Sequence, residues 1–172
     1  SSYGLHNENT NKGFDNAKYE WILHLDADER ITPELKKEID ETIEDPGNKV
    51  AFQLKFMGFI GKKRIKSCGW WPNYVIRLIK KGKAKHVPRV HEQMEVKGPV
   101  GRLQNPVLHY SYRDISHYLD KFNFYTSCLA NDIERGEVTK FYLFSRILLK
   151  FPYKYFIQKG FTDGIYGFLI SF

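Results

Sequence analysis

At 172 residues, 42% of them hydrophobic and 16% aromatic, the chain is long enough to bury one sizeable core and too short for two comfortable domains. Its two cysteines, Cys68 and Cys128, have neither a paired framework nor metal-type spacing, no signal-peptide pattern follows Ser1-Ser2-Tyr3, and no apolar run is as long as a membrane span; reduced thiols are expected, and a disulfide scaffold, an exported protein and a membrane-spanning protein are not. The net charge of +7 is segregated, with 12 acidic and 5 basic residues in 1–48 against 2 acidic and 14 basic in 49–103, so the middle of the chain suits an anionic partner.

Asn11 to Lys18 reads as the end of a helix and Trp21 to Asp26 as a strand. The run Trp21-Ile22-Leu23-His24-Leu25 is apolar enough to be covered on both faces. The carboxylates of Asp26-Ala27-Asp28-Glu29 then belong where the strand emerges at its carboxyl end, the edge at which open α/β sheets bind ligands. Thr32 to Glu44 follows as a helix, with Thr32 at the N-cap, Pro33 at the first helical position and Leu35, Ile39 and Ile43 along one face; Pro46-Gly47 ends it. Val50, Phe52, Leu54 and Phe56 alternate with Ala51, Gln53 and Lys55 as a half-buried strand. Tyr74 to Ile79 reads as another, with a Gly-rich aromatic excursion between the two. Lys62-Lys63-Arg64 and Lys80-Lys81-Gly82-Lys83 read as hairpin turns. Asp114 to Arg135 places Ile115, Tyr118, Leu119, Phe122, Leu129 and Ile133 at helical spacing, closed by Gly136. The tail, Phe141 to Phe172, has 11 aromatics in 32 residues, and Lys140 to Lys159 carries five cations and no acid. That mixture suits either a membrane interface or an amphipathic helix packed on its own domain.

Asp26 and Asp28 are hard oxygen donors suited to Mg²⁺ or Mn²⁺, and a metal held by few carboxylates keeps coordination positions free for a substrate diphosphate. On residue type alone, an acidic turn running into a helix cap explains the same pair.

The run Asn11-Lys12-Gly13-Phe14-Asp15-Asn16-Ala17, followed by Glu20 to Leu35, resembles the middle of family 2 glycosyltransferases, in particular the bacterial subgroup that adds a hexose to the lipopolysaccharide inner core. Three further blocks match that subgroup in order: Trp71 to Leu78, Val90-His91-Glu92, and Leu108-His109-Tyr110. The resemblance implies an α/β fold of GT-A type, a Rossmann-like mixed sheet flanked by helices, whose Asp-x-Asp binds the metal and the sugar-nucleotide diphosphate. Members begin with two or more βα units that hold the nucleoside. This chain has room for one helix before Trp21, so those N-terminal units are expected to be missing, and Phe172, inside an apolar run, reads as a second truncated end. The expected division is a partial catalytic domain over 1–112 and a helical, membrane-associating extension over 113–172.

The resemblance also assigns roles. Direct displacement at an anomeric carbon needs a carboxylate near the acceptor hydroxyl. Glu92 is the candidate general base, in a stretch poor in other acids where Arg89 and His91 favour its ionised form. GT-A metals often take a histidine from near the end of the catalytic domain, which points to His109 as a ligand, with His91 as the alternative; beside Val107-Leu108 the same ring equally reads as packed core. Trp70, Trp71 and Tyr74 can stack on the C–H faces of a sugar, and Arg77 can grip a diphosphate or an acceptor phosphate. A core role for one tryptophan and an ion-pair role for Arg77 stay open.

The implied protein is an inverting, metal-dependent glycosyltransferase moving a hexose from a uridine diphosphate donor to a lipopolysaccharide-core or other glycolipid or glycan acceptor, with Mn²⁺ or Mg²⁺ as cofactor. It is expected in the cytoplasm, peripheral on the inner face of the cytoplasmic membrane through its tail. Nucleic acid is not an expected partner, because the basic turns present no helix to a groove. The alternative is a non-catalytic basic module for nucleic acid or anionic lipid, with Asp26 and Asp28 incidental. Haloacid-dehalogenase-like phosphatases also put Asp-x-Asp after an apolar strand, but follow it with a threonine where this chain has Arg30.

Overall fold

The computed structural model describes residues 2–87, 93–132 and 148–172. Its elements run α1 (Ser2–Asn16), β1 (Trp21–Leu23), β2 (Glu29–Ile31), α2 (Pro33–Glu44), β3 (Ala51–Ile60), β4 (Lys63–Arg64), β5 (Asn73–Lys80), β6 (Ala84–Val87), β7 (Gln93–Val96), β8 (Val100–Tyr112), α3 (Ile115–Asp132) and, after a π-helical turn at Tyr153–Ile157 and a 3-10 turn at Gly160–Asp163, α4 (Ile165–Ser171). Two units divide them: Ser1–Phe56 with Tyr74–Val107, and Met57–Asn73 with Leu108–Phe172. In this grouping the excursion between β3 and β5 goes with the tail.

In the first unit the sheet order is β1-β5-β3-β8-β2. Alternation along β3 sends Phe52, Leu54 and Phe56 to one face, where they pack with Leu35 and Ile39 of α2 and with Leu78, Leu103 and Val107. Trp21, Leu23 and Leu25 join that face, while Ile22 packs on the other with Phe14 of α1, Ala51 and Ile79. The segment is thus covered on both sides, as its unbroken apolar run implies. β1 lies antiparallel to β5, Trp21 opposite Lys80 and Leu23 opposite Leu78, and His24 N extends the pairing by donating to Arg77 O at 2.8 Å. Helix α2 begins as expected: Thr32 Oγ1 accepts from Leu35 N at 3.1 Å and Pro33 needs no partner for a missing N–H. Its apolar stripe is the Leu35, Ile39, Ile43 face.

Two expectations need adjustment here. Glu29–Ile31, to which the sequence reading gave no element, forms the short strand β2. Lys80 to Lys83 does turn, with Lys83 N donating to Lys80 O at 3.0 Å, but β6 then pairs with β7 and not with β5.

In the second unit β4 folds back on the end of β3, Phe59 opposite Arg64 and Ile60 opposite Lys63. The turn needs Gly61, whose φ is +58° and whose missing Cβ would sit 3.0 Å from Arg113 O. Ile60, Ile65, Cys68 and Ile170 form the core of this unit, with Trp70, Tyr112, Ile115, Tyr118 and Tyr166 packed around them. Asp163 ties the tail to the loop after β4: its Oδ2 accepts from Lys66 N at 2.7 Å, Ser67 N at 2.9 Å and Ser67 Oγ at 2.7 Å. Burial alone would raise this carboxyl, and those three donors with Lys63 outweigh it, so its pKa lies below the ordinary value.

Candidate active site

Everything at the acidic turn follows from a strand that ends in water. After His24 the pairing with β5 stops, Glu29 N donates back to Asp26 O at 3.0 Å, and Arg30 closes the turn by donating to Ala27 O and Glu29 O, both at 2.7 Å. Glu29 is buried, and its Oε2 accepts from Asp26 N at 3.0 Å. Its other oxygen meets Arg77, which rises from the neighbouring strand β5 and lies beside the Phe56 ring.

The Arg77 fork organises the site. One terminal nitrogen serves both Asp26 Oδ2, at 2.6 Å, and Glu29 Oε1, at 2.5 Å; the other lies 3.2 Å from His24 Nδ1. A guanidinium only donates, so Nδ1 is the acceptor and the His24 proton sits on Nε2, 3.9 Å from Asp26 Oδ1. The two carboxyls respond in opposite directions. For Asp26 burial works upward, but the Arg77 charge and hydrogen bond outweigh it and hold the group below its ordinary value. For Glu29 burial is the larger effect and leaves its pKa raised, against the pull of the Asp26 N–H and Arg77.

Sequence reasoning missed Glu29 and His24. The available signals were a carboxylate three residues after Asp26, where a turn brings it back, and a lone imidazole in an apolar strand.

The other expected site residues lie as follows. Asp28 is half-buried on the same turn as Asp26. Tyr74, at the start of β5, carries the Arg102 guanidinium at 4.1 Å. In the second unit, Trp70 packs on Tyr112 and Tyr118, and Trp71 carries Arg64 at 4.5 Å. His109 is half-buried on β8, also in the second unit. Glu92 and His91 lie outside the described residues. Among the described residues no three His, Cys, Asp or Glu side chains converge on a metal position. Asp26 and Asp28 are oxygen donors of the kind that hard cations such as Mg²⁺ take.

Comparison with known proteins agrees with this geometry. The glycosyl transferase family 2 profile matches residues 5–96, which include most of α1, the acidic turn and β5 with Arg77. The chain is 28% identical over 167 residues to an uncharacterised glycosyltransferase of Rickettsia typhi, covering 88% of this chain and 57% of that protein. A second uncharacterised glycosyltransferase, from Rickettsia felis, is also 28% identical over 167 residues, covering 88% of this chain and 59% of its own length. The lipopolysaccharide core biosynthesis glycosyltransferase LpsC of Rhizobium meliloti is 27% identical over 159 residues, covering 85% and 54%. The chain thus spans 57% of the length of the first of these relatives. With the profile covering more than half of the sequence and the acidic turn inside the match, the chain belongs to glycosyl transferase family 2, whose fold is GT-A.

Proposed function

We propose that the protein is an inverting, metal-dependent glycosyltransferase that moves a hexose from a nucleotide donor, uridine diphosphate-linked, to a lipopolysaccharide-core or other glycolipid or glycan acceptor. The observation that carries the reading is the acidic turn: Arg77 and Glu29 hold an ionised Asp26 beside Asp28 at the carboxyl end of β1, inside the family match. What Mn²⁺ or Mg²⁺ supplies when bound at Asp26 and Asp28 is positive charge against the departing nucleoside diphosphate. His24, Glu29 and Arg77 keep the Asp26 carboxylate oriented and ionised. Glu92, the residue before β7, takes the proton from the acceptor hydroxyl, a step typically worth about 10² to 10⁴ in rate. On residue type and resemblance, His109 and His91 are the imidazoles offered to a metal, and Trp71, Trp70 and Tyr74 the aromatic residues offered to sugar.

The tail supports a place at the inner face of the cytoplasmic membrane. Leu149 is 71% exposed, Ile157 70% and Phe156 60%, and the neighbouring Lys150 and Lys159 are exposed. No helix among the described residues is long and apolar enough to cross a membrane; exposed aromatic and basic residues of this kind suit an interface. Nucleic acid has no part in this reading.

The test is hexose release and transfer by the full-length protein with uridine diphosphate hexoses, with and without Mn²⁺ or Mg²⁺. Asp28→Ala should abolish both metal binding by isothermal titration and turnover. Unchanged metal affinity in the double variant Asp26→Ala with Asp28→Ala would remove the metal claim.

A further inference from the structure

Residues 46–91 contain 12 Lys or Arg and no Asp or Glu. Within that run, in the second unit, Arg64 is held in an unusual setting. Its guanidinium lies 4.5 Å from the centre of the Trp71 ring, and its Nε is buried with no hydrogen-bond partner among the described residues. A buried N–H without an acceptor is costly, and a guanidinium stacked on an indole is a group that an anion recognises through its terminal nitrogens. Lys62 and Lys66, on either side in sequence, are exposed, while Lys63 is drawn toward Asp163 at 3.7 Å.

The aromatic surroundings fit a sugar. Arg64 is the cross-strand partner of Phe59, so the two side chains share a face of the β3–β4 hairpin. Phe59 in turn stacks on Tyr110, ring centres 4.9 Å apart and planes 21° from parallel, and Tyr110 is 45% exposed. Trp71, Arg64, Phe59 and Tyr110 form a strip with a cation in its middle. The strip is anchored from behind, because Asp163 takes the Lys66 and Ser67 backbone N–H groups and Cys68 N donates to Gln158 O at 3.2 Å. A loop fixed in this way loses little freedom on binding.

We infer that this strip is an acceptor subsite for an anionic sugar, with the ring packed on the aromatic residues and its phosphate or carboxylate on Arg64, flanked by Lys62 and Lys66. The inference rests on the transferase reading for the word acceptor, but the binding site stands or falls separately.

Tryptophan fluorescence titration of the full-length protein with glucose 6-phosphate, glucuronate, glucose and inorganic phosphate tests it. The wild type should bind at least one of the two anionic sugars about tenfold or more tighter than glucose, and whichever gains more identifies phosphate or carboxylate as the anion. Arg64→Gln should erase the preference, Arg64→Lys should keep part of it because it keeps the charge without the fork, and Trp71→Leu should weaken every sugar. Thermal melting of each variant confirms that it is folded; if Arg64→Gln is not, Arg64→Lys carries the test. A preference that survives in folded Arg64→Gln, or that is undiminished in Arg64→Lys, overturns the subsite, as does inorganic phosphate binding as tightly as glucose 6-phosphate. A protein that transfers hexose but does not distinguish the sugars loses the subsite alone; one that distinguishes them through Arg64 but transfers nothing loses the transferase reading alone.

Discussion

Arg77→Ala would leave the Glu29 side chain, which has no solvent exposure, without its cation. Breaking a buried pair from one side typically costs about 3–5 kcal/mol, so the variant should unfold at a much lower urea concentration, with Arg77→Lys intermediate because an ammonium cannot serve Asp26, Glu29 and His24 together. Asp163→Ala strips the acceptor from two backbone N–H groups and from the buried Ser67 hydroxyl, a loss of about 3 kcal/mol. The pH dependence has a definite sign. Asp163 has a lowered pKa, so its contribution is complete above the ordinary Asp value of about 3.9 and disappears as pH falls through the folded value. Urea titrations between neutral pH and pH 2 should therefore show a shallower acid decline in Asp163→Asn than in the wild type. Glu29, with a raised pKa, works in the opposite direction, its share full in acid and declining as pH rises through its folded value. At this scale the sequence made the apolar strand running into the Asp26 and Asp28 turn legible, because its charges follow directly on an unbroken apolar run. Arg77 was legible only as one of two alternatives, since nothing local tells a guanidinium 51 residues away that it will close on Asp26.

Elements with a strong internal signal read correctly. Helix α2 announced its cap, its Pro and its stripe, and β3 announced its alternation. Thr32→Ala should cost about 1 kcal/mol and Thr32→Gly only a few tenths, a difference readable by thermal unfolding, because glycine leaves the N-terminal turn open to water. The strands that sequence reasoning missed are β2, β4, β6, β7 and β8: the first four have two to four residues, too short for a period to develop, and β8, with 13, has its pattern interrupted by Gly101 and Pro106. The Lys80 to Lys83 turn was legible from its glycine. Its pairing was not, because partner choice belongs to the β6–β7 register, with Ala84 opposite Val96 and Val87 opposite Gln93. Helix α3 followed its apolar spacing as far as Asp132, and the expected stop at Gly136 lies outside the described residues.

For the whole molecule, the tail's apolar and basic residues predict sedimentation with anionic liposomes. Lys154 Nζ donates to Ile170 O at 3.3 Å and is committed to the fold, so Lys150→Glu with Lys159→Glu should release the protein, whereas Lys154→Glu should act mainly on stability. Raised salt should release it as well, since exposed charges are screened over about 10 Å at 0.1 M. The α/β class was legible from the chain; the division into two units was not. The Gly-rich aromatic stretch 57–73 carries no local sign of where it packs, and what ties it to the tail is a carboxylate 96 residues further on. That long tie orders events during synthesis. Residues 57–73 leave the ribosome long before Asp163 exists, so Ser67, Cys68 and Trp70 must wait for the last helix to be made. Chains stopped before Asp163 should fold their first unit and display the 57–73 loop as a protease-sensitive, chaperone-binding segment, and the arrival of α4 is the step that withdraws it.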